Sequence, residues 1–370
     1  MPLDFHPPLV NSANPWATTK EDLQRLYDCP YTGAITTRTS IINGFEHDDS
    51  KHQYCFFDHQ DHNPSHRSSR ALQRDSQLAS TSSQSRTSLN TFGYSPTPFA
   101  KYLEIIADIL RNRPDRPAKP VVFSITGTPT DIRQCHDLLL LRKQQLKHDH
   151  SISAHFLLEI NLSCPNIAGQ PPPAYSKGAI EQYMKVLSSS NPPVQNTSNR
   201  QQEIEIGIKT PPFTYQSQFE TLIGALLQEA RHSDPSNGLV CPISFLTATN
   251  TLGNCLALSE SSPGSHHEPS LSSSDGSGIG GLGGSALHPL ALGNVATLRR
   301  MLDTHDVLRH IEIIGVGGVS DADGYERMRS VGAAAVGVGT ALGVEGVGVF
   351  EKIWREMEGS DENDQTIPTC

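Results

Sequence analysis

No two of the seven cysteines stand at a spacing that is typical of a metal site. They are scattered along the 370 residues, and no two form a CxxC pair. Zinc sites, iron–sulfur clusters and disulfide scaffolds need clustered or paired cysteines, so the spacing argues against all three. An odd, dispersed set of thiols is typical of a reducing compartment. We therefore expect a cytoplasmic protein that binds no metal.

Positive charge and long apolar runs are also scarce. Asp and Glu outnumber Lys and Arg by 39 to 29, which gives a net charge of −10, and the sequence has no block of basic residues. Nucleic-acid phosphates attract basic surfaces, so we expect no nucleic-acid partner. No apolar run approaches the length of a membrane span, and the first residues lack a signal-peptide core or an Arg-rich presequence. We therefore expect a soluble chain with no membrane partner.

Hydrophobic residues make up only 36 % of the chain, and three polar stretches account for the deficit. These stretches are residues 59–87, 188–202 and 259–277. Such composition cannot bury enough apolar surface to order a segment by itself. We interpret the three stretches as flexible insertions. No break in composition divides the remaining sequence, so we expect residues 1–370 to form a single domain.

Apolar runs of strand length alternate with amphipathic helical patterns along the rest of the chain. The predicted helices cover residues 99–110, 130–147, 177–187, 216–229, 291–302, 322–330 and 349–357, and a further helix begins near a capping-box pattern at Thr19 and Asp22. The eight predicted strands cover residues 9–13, 33–39, 120–126, 156–162, 204–209, 243–249, 311–316 and 334–339. Eight strands with helices between most of them predict an α/β fold, namely a single (β/α)8 TIM barrel.

The fourth predicted strand runs into Asn161-Leu162-Ser163-Cys164-Pro165-Asn166. Pro165 ends the strand and turns the chain. A thiol and two carboxamides therefore lie at the carboxyl end of a barrel strand, where this fold places its chemistry. A buried structural cysteine is the alternative explanation.

Glycines follow the last two predicted strands, at Gly317-Gly318 and at Gly339-Thr340. Glycine lets backbone N–H groups approach a phosphate, and the loops after strands 7 and 8 form the usual phosphate site of this fold. Tight turns are the alternative explanation for either cluster alone. Two clusters at the two expected strands favour a phosphate site.

Other polar residues stand at the same ends of the predicted strands. Lys209 ends the fifth strand, where its charge can point into the barrel mouth rather than remain on the surface. Asparagines 90, 161, 166 and 250 lie at strand ends or in adjoining turns, where bonds to the local backbone are the ordinary role. Together with one thiol they suit a planar substrate that carries carbonyl and amide groups.

Several motifs resemble the dihydroorotate dehydrogenases, most closely the soluble class 1 enzymes and especially the fumarate-linked class 1A form. The Asn-Leu-Ser-Cys-Pro-Asn motif is specific to this family, whereas the glycine motifs occur in several flavin barrels. The resemblance covers nearly the whole chain except the three polar stretches. The residues that carry it are 161–166, Asn250-Thr251-Leu252-Gly253-Asn254, Gly280-Gly281-Leu282-Gly283-Gly284, 315–318 and 339–340.

The resemblance implies FMN at the barrel mouth, oxidation of dihydroorotate to orotate in pyrimidine biosynthesis, fumarate as the electron acceptor and a homodimer. Cys164 corresponds to the class 1 base, which takes the proton from substrate C5 while C6 delivers hydride to flavin N5, and residues 167–175 correspond to a lid. The implied substrate-binding residues are Arg38, Asn90, Asn161, Asn166, Asn250 and Thr251. The implied FMN-binding residues are Ser12, Ala13, Arg38, Thr39, Asn161, Lys209, Gly283, Gly284, Gly317, Gly318, Gly339 and Thr340.

Two positions depart from the family pattern. Arg38 stands where the family has a lysine that contacts substrate and flavin, and Asn14 stands where a glycine is usual. Arginine keeps the charge but is bulkier and can bind a carboxylate through two bonds. Besides dihydroorotate oxidation, two hypotheses therefore remain open: a related FMN oxidoreductase acting on another ring, and a catalytically impaired flavin barrel that serves as a scaffold.

Overall fold

The computed structural model of the chain describes residues 3–58, 64–68, 86–113, 118–164, 172–188, 204–232, 241–260 and 266–363. Asn166 and most of the predicted lid, residues 167–171, lie outside these ranges, as do much of the first two polar stretches and part of the third.

The described strands are β1 (Leu9–Asn11), β2 (Ile35–Thr36), β3 (Tyr54–Phe57), β4 (Pro64–Ser68), β5 (Thr87–Asn90), β6 (Val121–Ile125), β7 (Phe156–Asn161), β8 (Glu205–Thr210), β9 (Phe245–Ala248), β10 (Leu252–Cys255), β11 (Leu258–Glu260), β12 (His267–Pro269), β13 (Gly280–Gly284), β14 (Glu312–Val316) and β15 (Ala335–Val338). The helices are α1 (Lys20–Asp28), α2 (Phe99–Arg111), α3 (Pro129–His150), α4 (Lys177–Ser188), α5 (Gln216–His232), α6 (His288–Asp303), α7 (Ala322–Ser330), α8 (Thr340–Glu345) and α9 (Gly348–Asn363).

Eight of these strands form one parallel sheet in the order β1-β15-β14-β9-β8-β7-β6-β2. The two end strands meet at a parallel bridge between Val10 and Ala34, which closes the sheet into a barrel. Helices lie between successive barrel strands in the chain, as a (β/α)8 barrel requires. The predicted TIM barrel is therefore confirmed, and all eight predicted strands are present, although β2 is shorter than its predicted range, 33–39.

The side chain of Asn11 completes the closure. Its Nδ2 donates to the Thr36 carbonyl oxygen at 2.6 Å, and its Oδ1 accepts from the Thr36 N–H at 2.8 Å. These two bonds replace ladder bonds that β1 and β2 do not make to each other. Buried backbone groups need such partners because an unpaired group in the interior costs stability.

The barrel strands divide their side chains between two layers. In β7, Phe156, Leu158 and Ile160 join the large apolar cluster shared with the helices, whereas Leu157 belongs to a separate cluster inside the barrel. Phe245 fills much of this interior. It can do so because Gly207 has no side chain, and a Cβ there would lie 2.2 Å from the Phe245 ring.

Above this apolar layer, the barrel interior becomes polar. The carboxylate of Glu159, which is 2 % exposed, accepts bonds from Ser124 Oγ at 2.7 Å and from Thr247 Oγ1 at 2.6 Å. Because side chains alternate along a strand, Asn161 lies one layer higher, at the mouth. The polar groups are therefore concentrated toward the carboxyl ends of the strands.

A second, antiparallel sheet, which the sequence did not predict, has the strand order β10-β13-β5-β3-β4. Its segments come from two distant parts of the chain, and Asn90 pairs with Gly281. The polar stretch 59–87 includes β4 and the buried Thr87. The stretch 259–277 likewise contributes to the β11–β12 pair and buries Leu271, which is 2 % exposed. Whether the rest of these stretches is flexible stays a prediction.

Candidate functional site

A cleft of about 1010 Å³ of empty space, including its opening, lies at the carboxyl ends of the barrel strands. The second sheet forms one side of it. Asn166 lies outside the described residues, but every other predicted site residue lines the cleft: Ser12, Ala13, Arg38, Thr39, Asn90, Asn161, Cys164, Lys209, Asn250, Thr251, Gly283, Gly284, Gly317, Gly318, Gly339 and Thr340.

The Cys164 thiol is half-buried, three residues beyond the end of β7. The Tyr94 hydroxyl lies within hydrogen-bonding reach of it, and the pKa of Tyr94 is raised, chiefly by burial and further by this thiol. Tyr94 therefore remains a neutral phenol at physiological pH. Arg38 and Lys209 are close enough to Cys164 to interact with it electrostatically. Cations close to a thiol stabilise its thiolate form.

Lys209 lies at the carboxyl end of β8 and is 3 % exposed. Its Nζ donates to Ser12 Oγ at 2.9 Å. Burial lowers the pKa of Lys209 because it disfavours the ammonium form, while the charges of Glu159 and Cys164 act in the opposite direction. The prediction that this lysine points into the mouth rather than to solvent agrees with its place in the cleft wall.

Two of the asparagines belong to one hydrogen-bonded network. Asn161 Nδ2 donates to Thr39 Oγ1 at 3.0 Å, and Asn161 Oδ1 accepts from Ser163 Oγ at 2.6 Å. Asn250 Nδ2 donates to Ser163 Oγ at 2.9 Å. The Asn250 Oδ1 accepts from the Thr251 N–H at 2.8 Å. The network fixes both amides at the floor of the cleft.

Asn90 reaches the cleft from the end of β5. Its Nδ2 donates to the Gly281 carbonyl oxygen at 3.2 Å, and its Oδ1 accepts from the Phe92 N–H at 3.3 Å. Asparagines from three different elements thus converge on one space, which their sequence spacing alone could not establish.

Arg38 is buried at the cleft wall, with 8 % of its surface exposed. Its Nη2 donates to the Gly93 carbonyl oxygen at 3.3 Å, and the guanidinium lies 5.2 Å from the centre of the Phe92 ring. Burial lowers the pKa of Arg38 to about 10. The group therefore stays positively charged at neutral pH and can bind an anion in the cleft.

Asn14, the second departure from the family pattern, turns its side chain onto the local backbone. Its Nδ2 donates to the Ser12 carbonyl oxygen at 2.7 Å, and its Oδ1 accepts from the Trp16 N–H at 2.9 Å. These bonds make an Asx-type turn that holds the loop after β1. A glycine is not required here because Asn14 does not have a positive φ.

The glycines after β14 and β15 line the cleft, and the backbone after β15 leaves room for a ligand. A Cβ added at Gly339 would have no described atom within 4 Å, so this backbone faces open space. Gly317 and Gly318 have φ angles of 144° and 74°, which other residues rarely adopt. Thr340 Oγ1 lies 2.8 Å from Ser88 Oγ and links this end of the cleft to the second sheet.

Sequence reasoning missed an aromatic wall of the cleft, formed by Trp16, Tyr54 and Phe92. The Trp16 and Tyr54 ring centres are 5.5 Å apart at 87°, and those of Tyr54 and Phe92 are 5.6 Å apart. None of these residues belongs to a motif, so the sequence carried no signal for them. Thr249 was also missed: it lines the cleft, is 2 % exposed, and its Oγ1 has no hydrogen-bond partner within the described residues.

Among the residues that the structure describes, no group of three or more His, Cys, Asp or Glu side chains could hold a metal ion. Of the described helices, none combines the length and the apolar character needed to cross a membrane.

Comparisons with known proteins point to one family. Dihydroorotate dehydrogenase (fumarate) of Saccharomyces cerevisiae is 29 % identical over 273 residues, which cover 73 % of this chain and 72 % of the yeast protein. Dihydroorotate dehydrogenase A (fumarate) of Lactococcus lactis subsp. lactis is 28 % identical over 274 residues, which cover 73 % of both chains.

Solved structures give the same fold. The crystal structure of the ligand-free DHODH from Eimeria tenella matches with a TM-score of 0.59 and 16 % identity, covering 98 % of this chain and 86 % of that one. The sequence description of the dihydroorotate dehydrogenase family matches residues 77–360. These residues span the greater part of the barrel and most of the cleft, and the chain therefore belongs to the dihydroorotate dehydrogenase family.

Proposed function

We propose that this chain oxidises (S)-dihydroorotate to orotate with FMN as its cofactor and fumarate as the electron acceptor. The observation that carries the proposal is the meeting of Cys164, Arg38 and Lys209 with three asparagines in one cleft. The relatives from yeast and Lactococcus, whose names specify fumarate, support this choice of acceptor.

The cleft suits FMN on three observations. The open space at Gly339 accommodates a phosphate beside a backbone without side chains. The Thr249 hydroxyl, which lacks a partner within the described residues, can bond to a polar ring edge. The Lys209 ammonium can stabilise negative charge there. When bound, FMN supplies the acceptor for the hydride that leaves substrate C6.

The residues assigned to FMN remain those named above from the resemblance, and Lys209 would face the N1/O2 edge of the ring. Ser12 and Ala13 would lie along the ring, and Gly317, Gly318, Gly339 and Thr340 would hold the phosphate. Support comes from their common place in the cleft wall.

Substrate binding falls to the polar groups around Cys164. Arg38 binds the carboxylate of the substrate, because a guanidinium can grip a carboxylate through two bonds. Asn90, Asn161 and Asn250, with Thr251, bind the carbonyl and amide groups of the ring, and Asn166 is assigned the same role from the resemblance. Cys164 takes the proton from C5 as a thiolate that Arg38 and Lys209 stabilise. Residues 167–175, of which 167–171 lie outside the described residues, are assigned the role of a lid from the resemblance.

We also propose a cytoplasmic homodimer. Three large apolar side chains near the second sheet are exposed, namely Leu256, Leu258 and Ile279, at 49 %, 42 % and 40 % of their surface. Leu256 and Ile279 adjoin Cys255 and Gly280, which pair across β10 and β13. Adjacent exposed apolar side chains are typical of a surface that another chain covers.

Flavin reduction under anaerobic conditions tests this function. The purified protein should carry FMN absorbance, dihydroorotate should bleach it, and fumarate should restore it. A protein that binds no flavin would contradict the cofactor. Flavin that dihydroorotate leaves oxidised would contradict the substrate.

Arg38 favours a second candidate, an FMN oxidoreductase acting on another cyclic acid. The Arg38→Lys variant separates the two. If dihydroorotate is the substrate, lysine should leave the rate of flavin reduction equal or higher. If the site is adapted to another acid, the variant should bind that acid less tightly and gain nothing with dihydroorotate.

A further inference from the structure

The carbonyl of Gly317, in the loop after β14, has a partner outside the cleft. His288 Nδ1 lies 2.7 Å from the Gly317 oxygen. A carbonyl oxygen can only accept, so the hydrogen must be on Nδ1 of the imidazole. His288 is the first residue of α6 and is 9 % exposed.

The other ring nitrogen is also engaged. Arg327 Nε, on α7, lies 3.2 Å from His288 Nε2. An arginine donates and cannot accept, so Nε2 must carry the lone pair. The two contacts together select one neutral tautomer of His288, with its hydrogen on Nδ1.

The bond to His288 also fixes the direction of the next amide. The peptide between Gly317 and Gly318 is trans, so the Gly318 N–H points away from the carbonyl that His288 holds. Gly318 lines the cleft, and its N–H makes no backbone hydrogen bond within the described residues. A donor without a partner among the described residues is available to a ligand at this position.

The loop needs an external restraint because both residues are glycines with positive φ angles. Two adjacent glycines allow the peptide plane between them to rotate at little cost. A Cβ at Gly318 would lie 2.7 Å from the Gly284 oxygen and from the His288 Cβ, so no bulkier residue could stiffen the loop.

We propose that His288, held in one tautomer by Arg327, is a positioning residue that directs the Gly318 N–H at the phosphate of FMN. This inference rests on the proposed cofactor. His288 acts through the loop and contacts neither substrate nor the reacting atoms. Its substitution should therefore weaken only the binding of the phosphate.

Paired affinities for FMN and riboflavin test the proposal, because riboflavin has the same ring without the phosphate. In His288→Leu, the apoprotein should bind FMN about tenfold or more weakly while its riboflavin affinity stays at the wild-type value, since a bond to a charged phosphate is lost. His288→Asn places an amide donor near Nδ1 and should restore much of the FMN affinity. Arg327→Met should also weaken FMN binding, but by a smaller factor than His288→Leu does.

His310→Leu is the matched control. His310 also bonds backbone carbonyls, with Nε2 3.0 Å from the Cys241 oxygen, but it precedes β14 at the opposite end of the barrel. Both affinities should stay unchanged in this variant. If His288→Leu lowers the affinities for FMN and riboflavin equally, or lowers neither, the positioning role is overturned. If His288→Leu does not fold, Arg327→Met decides the question. An unchanged ratio of FMN affinity to riboflavin affinity in this variant overturns the positioning role. Wild-type protein that binds neither flavin would overturn the cofactor itself.

Discussion

Cys164 lies close to two cations and a neutral phenol. Substitution of this cysteine tests whether its thiol is the base. We expect Cys164→Ser to slow flavin reduction by dihydroorotate about 10²-fold or more near neutral pH, because a hydroxyl is far less ionised than a thiol. The residual rate should rise with pH, and FMN and orotate should still bind. Stopped-flow absorbance measures the rate. Cys255→Ser, outside the cleft, is the control, and a wild-type rate in Cys164→Ser would remove the thiol from the mechanism.

Lys209 gives a second prediction at this scale. Lys209→Met should lower the reduction potential of bound FMN and weaken FMN binding about tenfold, because the variant loses a buried positive charge. Potentiometric titration and flavin fluorescence measure the two effects. Lys101→Met, an exposed lysine of α2 paired with Glu104, is the control. An unchanged potential would place Lys209 away from the ring.

The same lysine predicts the sign of a pH effect on the apoprotein. Its pKa is lowered in the folded chain from the ordinary 10.5, so below that value the unfolded chain binds more protons at this residue. The contribution of Lys209 to the free energy of unfolding should therefore increase as pH rises toward 10.5. Urea unfolding at several alkaline pH values should show this increase in the wild type and a smaller one in Lys209→Met. If the free energy of unfolding rises equally with pH in the two proteins, the lowered pKa of Lys209 is contradicted.

Among the elements, β1 and β2 are the pair whose contact depends most on a side chain. Asn11→Ala should leave the N–H and C=O of Thr36 without their partners in the barrel wall, which costs about 2–4 kcal/mol of the free energy of unfolding. Urea unfolding of the apoprotein measures the loss. Asn43→Ala, at an exposed turn position, should change stability little. A stable Asn11→Ala protein would mean that the strands re-pair by themselves.

Elements also differ in how far the sequence reveals them. The barrel strands were predictable because they are short, largely apolar runs such as 156–161, which is typical of strands buried on both faces. The helices were predictable because their apolar residues recur with helical spacing. The second sheet was not predictable, because β13 reads Gly-Gly-Leu-Gly-Gly and pairs with β5, almost 200 residues away. The same difference applies to the site. Its residues that belong to motifs were predictable, whereas Trp16, Tyr54 and Thr249 enter the cleft only through tertiary packing.

For the whole molecule, the polar stretch between β4 and β5 should be separable from the barrel. Replacing residues 69–85 with a short Gly/Ser linker should keep FMN bound and leave Tm within about 2 °C, because this composition offers little apolar surface to bury. Thermal unfolding and flavin absorbance measure both.

The linker should end before Arg86, whose Nη1 bonds Asp321 at 2.9 Å, and before the buried Thr87. A longer replacement that removes residues 59–87 is the contrasting variant and should be less stable, because it deletes β4 and the start of β5. Insoluble protein after the shorter replacement would show that residues 69–85 pack on the barrel.

The Phe245 ring occupies space that Gly207 vacates, and this pairing constrains how the barrel can change over evolutionary time. Any side chain at 207 collides with the ring, while a smaller residue at 245 alone leaves a void in the interior. Each substitution is harmful by itself, yet a smaller side chain at 245 makes room for one at 207, so the two effects are not additive. Lineages descended from this chain should therefore retain both residues or exchange them together, and the two positions should co-vary.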